Sequence, residues 1–269
     1  MRIREFLGSL ALLVSFANPG LFGQAAAAKY PILNWQQIEA QHPSPSMRLF
    51  FYLLRNEPDL LSDEDVLRNF MAANNCLNNG FARILTSEFD YPGMKAFYQS
   101  KAPEIVRTSP MTLSILLKVF YFGQYDAAKG VFPLVDVRGA KPTPTTFRDL
   151  EPGNDLHDTC PNLNNNGLAK KRNFLAMYLH YRVNVPPVTI SELPMAEADA
   201  RSFVEGLRST APAARGLTLL VDMDLVDAPT KLGPFTPGSG YPAVDVQGRI
   251  KKITIFSVQD NKQLGVITP

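Results

Sequence analysis

At Pro110 the hydrophobic period of the chain changes from helical to alternating, and this switch limits the fold more than any other feature. Upstream, apolar residues recur three and four apart between clear punctuation. Asn34 stands where it can cap WQQIEAQ, Pro43 and Pro45 interrupt, and SMRLFFYLLR makes a short apolar helix that stops before Pro58. Ser62 is placed to open SDEDVLRNF, which has three acids in its first turn at the positive end of the helix dipole. Val66, Phe70, Ala73, Leu77, Ile84 and Leu85 supply its buried face, and a further helix covers much of Pro92 to Arg107 unless Pro103 breaks it.

Downstream, MTLSILLKVFYF is rich in branched and aromatic residues and ends at Gly123, which predicts a strand with a buried face. FPLVDVRG, NFLAMYLHYRVN, RGLTLLVDMDLVD and RIKKITIFSV with QLGVI read as further strands, the last two as a terminal pair, while SELPMAEADARSFVEGLRS reads as a capped helix. Helices first and strands afterwards predict an α+β fold: a helical region over residues 29–109 packed on a mainly antiparallel sheet within residues 110–269. One long polar segment, residues 138–171, carries KPTPTT and EPGNDLHDTCPNLNNNG and cannot supply much core. A connection of that length is functional or unstructured.

FPLVDVRG at Phe132–Gly139 and YPAVDVQG at Tyr241–Gly248 share one pattern, and each follows a helix and a strand. Two readings stay open. The first is a duplicated unit of one helix and three strands, with Val135 and Val137, and Val244 and Val246, facing inward and Asp136 and Asp245 at matching outward sites. The second is two ordinary strands that start at Pro and carry an outward Asp.

The first 28 residues have the form of a secretory signal peptide: Arg2 and Arg4, an apolar run from Phe6 to Phe16, a break at Asn18-Pro19-Gly20, and small side chains at Ala26 and Ala28. That run is too short to span a bilayer, and no apolar stretch of transmembrane length follows it. The chain carries 27 basic and 25 acidic side chains, so no basic excess argues for nucleic acid and no charge run for a membrane surface. The expectation is an exported, soluble protein of a bacterial periplasm or exterior. Cys76 and Cys160 would enter a compartment where disulfides persist; Cys76 reads as a small buried hydrophobe on a helix, and spacing alone does not show whether the two sulfurs meet.

Reactive residue types are densest in NDLHDTCPNLNNNG. Asp155, His157, Asp158 and Cys160 are candidate metal ligands, with His180 a distant fourth, although no paired Cys or His motif of zinc spacing is present. Cys160 with His157 or His180 forms a candidate nucleophile and base, since a thiolate attacks a carbonyl once an imidazole takes its proton. If the halves meet about a pseudo-twofold axis, Asp136 and Asp245 become a candidate acid and base. There is no phosphate loop, dinucleotide fingerprint, nucleophile elbow or H-E-x-x-H, and no cofactor is expected. The sequence therefore points to an exported binding or interaction protein of the cell envelope, its partner an envelope protein, a peptide or a small ligand. The competing expectation is a cysteine-dependent hydrolase.

Overall fold

The computed structural model describes residues 33–41, 44–75, 80–136, 138–139, 141–152, 180–207, 212–227, 231–235 and 242–269, all within one compact unit. Cys76, Val137, Asp155, His157, Asp158 and Cys160 lie outside these residues. Among the described residues five helices come first: α1 Trp35–Gln41, α2 Pro45–Asn56, α3 Glu64–Asn74, α4 Phe81–Thr86 and α5 Tyr91–Arg107. Asn34 caps α1 reciprocally with Gln37: its Oδ1 accepts the Gln37 N–H at 2.9 Å, and Gln37 Oε1 accepts the Asn34 N–H at 3.0 Å. Such a cap is worth about 1 kcal/mol.

Two helical expectations change and a third, left open at Pro103, is resolved. Asp63, not Ser62, caps α3, because Asp63 Oδ1 accepts the Val66 N–H at 3.1 Å, whereas Ser62 closes a 3-10 turn over Pro58–Ser62. The buried face expected to run from Val66 to Leu85 belongs to two helices, since α3 ends at Asn74 and α4 begins at Phe81. Pro103 does not break α5, because it and Gln99, whose carbonyl it leaves without an intrahelical donor, are both exposed to water. The helices meet over an aromatic core in which Phe51 and Phe70 stand 5.5 Å apart and Phe70 and Tyr98 6.2 Å apart. Each fully buried ring contributes about 1.5–3 kcal/mol.

The strands are β1 Thr112–Phe122, β2 Val131–Val135, β3 Thr145–Leu150, β4 His180–Ile190, β5 Glu192–Pro194, β6 Gly216–Leu225, β7 Lys231–Phe235, β8 Pro242–Ser257 and β9 Gln263–Ile267, with helix α6, Glu197–Glu205, between β5 and β6. They form one sheet in the order β3-β4-β8-β6-β1-β2-β5, with β7 and β9 also paired to β8. All pairs are antiparallel except β4 with β8. Only Ser191 separates β4 from β5, and its carbonyl accepts the Leu134 N–H at 2.8 Å, so β5, at one end of the path, and β4, next to the other end, belong to one running strand. The sheet thus curls back on itself as a partly open, mostly antiparallel barrel. The long β8 is its spine, flanked by β6 and β7 on one side and by β4 and β9 on the other.

Helices engage both ends of the barrel strands. At one end Phe203 of α6 packs 5.1 Å from Phe122 and 6.1 Å from Phe132. At the other, α2 reaches the sheet through Arg48, which donates to the Thr112 carbonyl at 2.7 Å, and Tyr52, which donates to the Val226 carbonyl.

Three strand expectations also change. β3 lies inside the segment expected to be a polar loop; Phe147 and Leu150 are its buried anchors, and Thr146 meets Thr189 Oγ1 to Oγ1 at 2.8 Å. SELP is not the start of a helix, because Glu192–Pro194 pairs with β2 and the helix begins only at Glu197. The two similar octapeptides are not equivalent. In β2 Phe132 and Leu134 are more deeply buried than Val131, on the opposite face, and Val135 is only half-buried, whereas the matching Val244 of β8 is fully buried, as is Val246. Their partners differ too: β2 pairs with β1 and β5, whereas residues 242–247 pair with β4 and β7. The duplicated unit is overturned.

Candidate interaction face

Asp136 and Asp245 do not meet. Val135 pairs with Tyr121, Tyr121 with Gly216, and the Val258 N–H donates to the Gly216 carbonyl, so Asp136 lies level with the far end of β8 from Asp245. At ~3.3 Å per residue this is on the order of 40 Å of strand path. Asp136 shapes a turn instead: its Oδ1 accepts the Arg138 N–H at 3.1 Å, and its carbonyl accepts the N–H of Gly139, whose φ of 71° suits glycine. Asp245 faces Arg182 across the parallel β4–β8 pair, with Nη1 3.8 Å from Oδ1, and Arg182 Nε lies 4.0 Å from Glu151. That Oδ1 is buried without a hydrogen bond, as is the hydroxyl of Tyr181, whose pKa burial pushes up. The two stand on opposite faces of the sheet, because Tyr181 pairs with Val244 and Arg182 with Asp245. Of His180 the structure describes only the backbone, paired with Ala243.

The tightest titratable cluster joins α3 to α5. Glu64 accepts from Lys95, from the Tyr91 hydroxyl and, at 3.1 Å, from Arg68 Nε, while the Arg68 guanidinium lies 4.7 Å over the Tyr91 ring. Burial alone would raise the Glu64 pKa, but the bonds from Lys95, Tyr91 and Arg68 outweigh it and hold the carboxyl at about 2. Burial and the bond to Glu64 push Tyr91 to about 12. Every member is engaged within the cluster, and its effect is to fasten the two helices.

The outer face of β1, β6, β8 and β9 differs from this in what it leaves open. Leu116 pairs with Leu220, Leu220 with Thr254 and Thr254 with Val266, so these four side chains form one row across four strands. Leu116 and Val266, at its ends, are 50% and 48% exposed. The next row holds Ser114, Asp222 and Lys252. Ser114 Oγ donates to Asp222 Oδ1 at 2.6 Å, Lys252 Nζ lies 3.1 Å from Asp222 Oδ2, and Lys251 lies 3.4 Å from Asp224. A register shift between Asp222 and Met223 lets neighbouring Lys251 and Lys252 both reach acids on β6. The second row, not the first, borders a groove of about 420 Å³ whose lining includes Thr112, Ser114, Asp222, Lys251, Lys252 and Thr268. A second cavity of about 330 Å³ lies between Asp199 and Phe203 of α6 and the β8–β9 turn at Lys262.

Sequence reasoning missed this face because MTLSILLKVFYF is apolar at most positions of both faces. Its signal was an alternation of Thr112, Ser114 and Leu116 against Leu113, Ile115 and Leu117, in which Leu116 breaks an otherwise polar set. Together the rows offer two half-exposed aliphatic side chains, Leu116 and Val266, on either side of the recessed Thr254 and beside donors and acceptors of both charge signs, an arrangement suited to docking. No protein-family model, curated protein or solved structure matches the chain.

Proposed function

We propose that the chain is an exported binding or interaction protein of the bacterial cell envelope, released after Ala28, and that it docks its partner on the outer face of β1, β6, β8 and β9. The observation that carries the reading is the row from Leu116 to Val266: two half-exposed aliphatic side chains at either end of a four-strand sheet face, bordered by Asp222, Asp224, Lys251 and Lys252. Half-exposed aliphatic side chains with a charged border are the anatomy of a protein contact. No helix among the described residues is long and apolar enough to cross a membrane.

The test places a photo-activated cross-linking residue at Leu116 and, as a control, at Arg148 on β3, in cells that produce the protein. Cross-linked adducts from position 116 and none from 148 are expected. Adducts from 148 alone, or from neither, would contradict the docking face. N-terminal sequencing of the same material is expected to start at Lys29; an intact Met1 on membrane-bound protein would contradict the export step.

A further inference from the structure

We infer that the partner fitted by this face is a second copy of the chain, an inference that rests on the docking face proposed above. The argument is its self-complementarity. The face has four strands in the order β1, β6, β8, β9, so its centre line runs between β6 and β8. A twofold axis lying in the interface along that line keeps each row at its own height and reverses the order of the strands. Leu116 then lies over the partner's Val266 and Leu220 over the partner's Thr254. Asp222 lies over the partner's Lys252, and Ser114 over the partner's Thr268.

The twofold gives every contact its symmetric equivalent, so both half-exposed aliphatic side chains are covered and Asp222 and Lys252 of each copy meet their opposite charge. The Asp222–Lys252 pair within each copy, at 3.1 Å, is retained and becomes part of a four-charge cluster of alternating sign. A twofold axis along the cross-strand row would instead set the row of Asp222 and Lys252 against that of Thr218 and Phe256 and lose the match. Strands of the two copies run nearly aligned, as in packed sheets, with the ~30° offset that sheet twist imposes.

The face spans about four strands at ~4.8 Å and six residues at ~3.3 Å. That is on the order of 400 Å² of flat area per copy, at the small end for specific protein contacts, so the dimer is expected to be transient and of micromolar or weaker affinity.

Sedimentation of the mature protein from ~10 µM to ~1 mM is expected to show a reversible monomer–dimer equilibrium. Leu116→Asp and Val266→Asp should each weaken it at least tenfold while leaving the unfolding midpoint unchanged, since both positions are half-exposed. A disulfide trap fixes the symmetry. A mixture of Leu116→Cys and Val266→Cys proteins should cross-link faster than either alone, above the background that Cys76 and Cys160 set in the unaltered chain. A protein that stays monomeric to ~1 mM, or a dimer indifferent to both Asp substitutions and to the mixed trap, overturns the inference. In the cellular experiment, Leu116 adducts of twice the chain mass support the second copy. Adducts of any other mass overturn the second copy and leave the docking face standing, whereas no adducts at all overturn both.

Discussion

Gly248 shows how one residue sets the curvature on which the whole barrel depends. A Cβ at this position would stand 2.8 Å from Val183 Cγ1, 3.3 Å from Met223 Sδ and 3.4 Å from Val185 Cγ1. β8 passes here from its pairing with β4 to its full pairing with β6, and only a residue without a side chain lets the three strands close to that distance. Gly248→Ala is expected to cost about 1–3 kcal/mol in urea unfolding. A variant as stable as the parent would show that the strands are not packed this way. The unequal octapeptides make a second residue-scale test. Val244→Ala with Val246→Ala removes fully buried methyl groups and should cost about 2 kcal/mol or more, while Val135→Ala, half-buried, should cost less than about 1 kcal/mol. A Val135→Ala cost as large as that of the pair would contradict the half-buried placement of Val135.

Among the elements, α3 and α5 are held by Glu64, and the clamp has a definite pH signature. The folded carboxyl titrates at about 2, below its ordinary value of 4.5. Its contribution to stability is therefore complete above pH 4.5 and is lost as pH falls toward 2. The stability gap between the parent and Glu64→Gln should narrow across that window; because 39% of the Glu64 side chain is exposed, solvent moderates its size. A gap that stays constant from pH 5 to 2 would remove Glu64 from the clamp. Element by element, β1, β2, β6, the β8–β9 pair and the start of β4 were legible in the sequence, β6 by its alternation and β1 by its branched and aromatic side chains. β3 was hidden because TTFRDL has only Phe147 and Leu150 to anchor it and follows two prolines. β5 was hidden because SEL resembles a capped helix start, and only its pairing with Val131–Pro133 decides otherwise. The candidate residues fared unevenly for a related reason. Asp136 and Asp245 were visible as a repeated pattern, but their separation is a property of long-range pairing that no local spacing encodes.

At the scale of the molecule, closure of the sheet decides which surfaces remain for function. The continuous β4–β5 strand removes one sheet edge, α6 and the helical region engage opposite ends of the strands, and β9 extends the face on which Leu116, Leu220, Thr254 and Val266 align. The central claim is that this face is covered in the working protein. Hydroxyl-radical footprinting of side chains tests it most directly, comparing dilute purified protein with the protein in the cells that produce it. Phe89, 93% exposed at the turn between α4 and α5, serves as an internal reference. Oxidation of Leu116 and Val266 is expected to fall several-fold in the cells while that of Phe89 stays constant. Undiminished oxidation of Leu116 and Val266, with protection appearing elsewhere, would contradict the account.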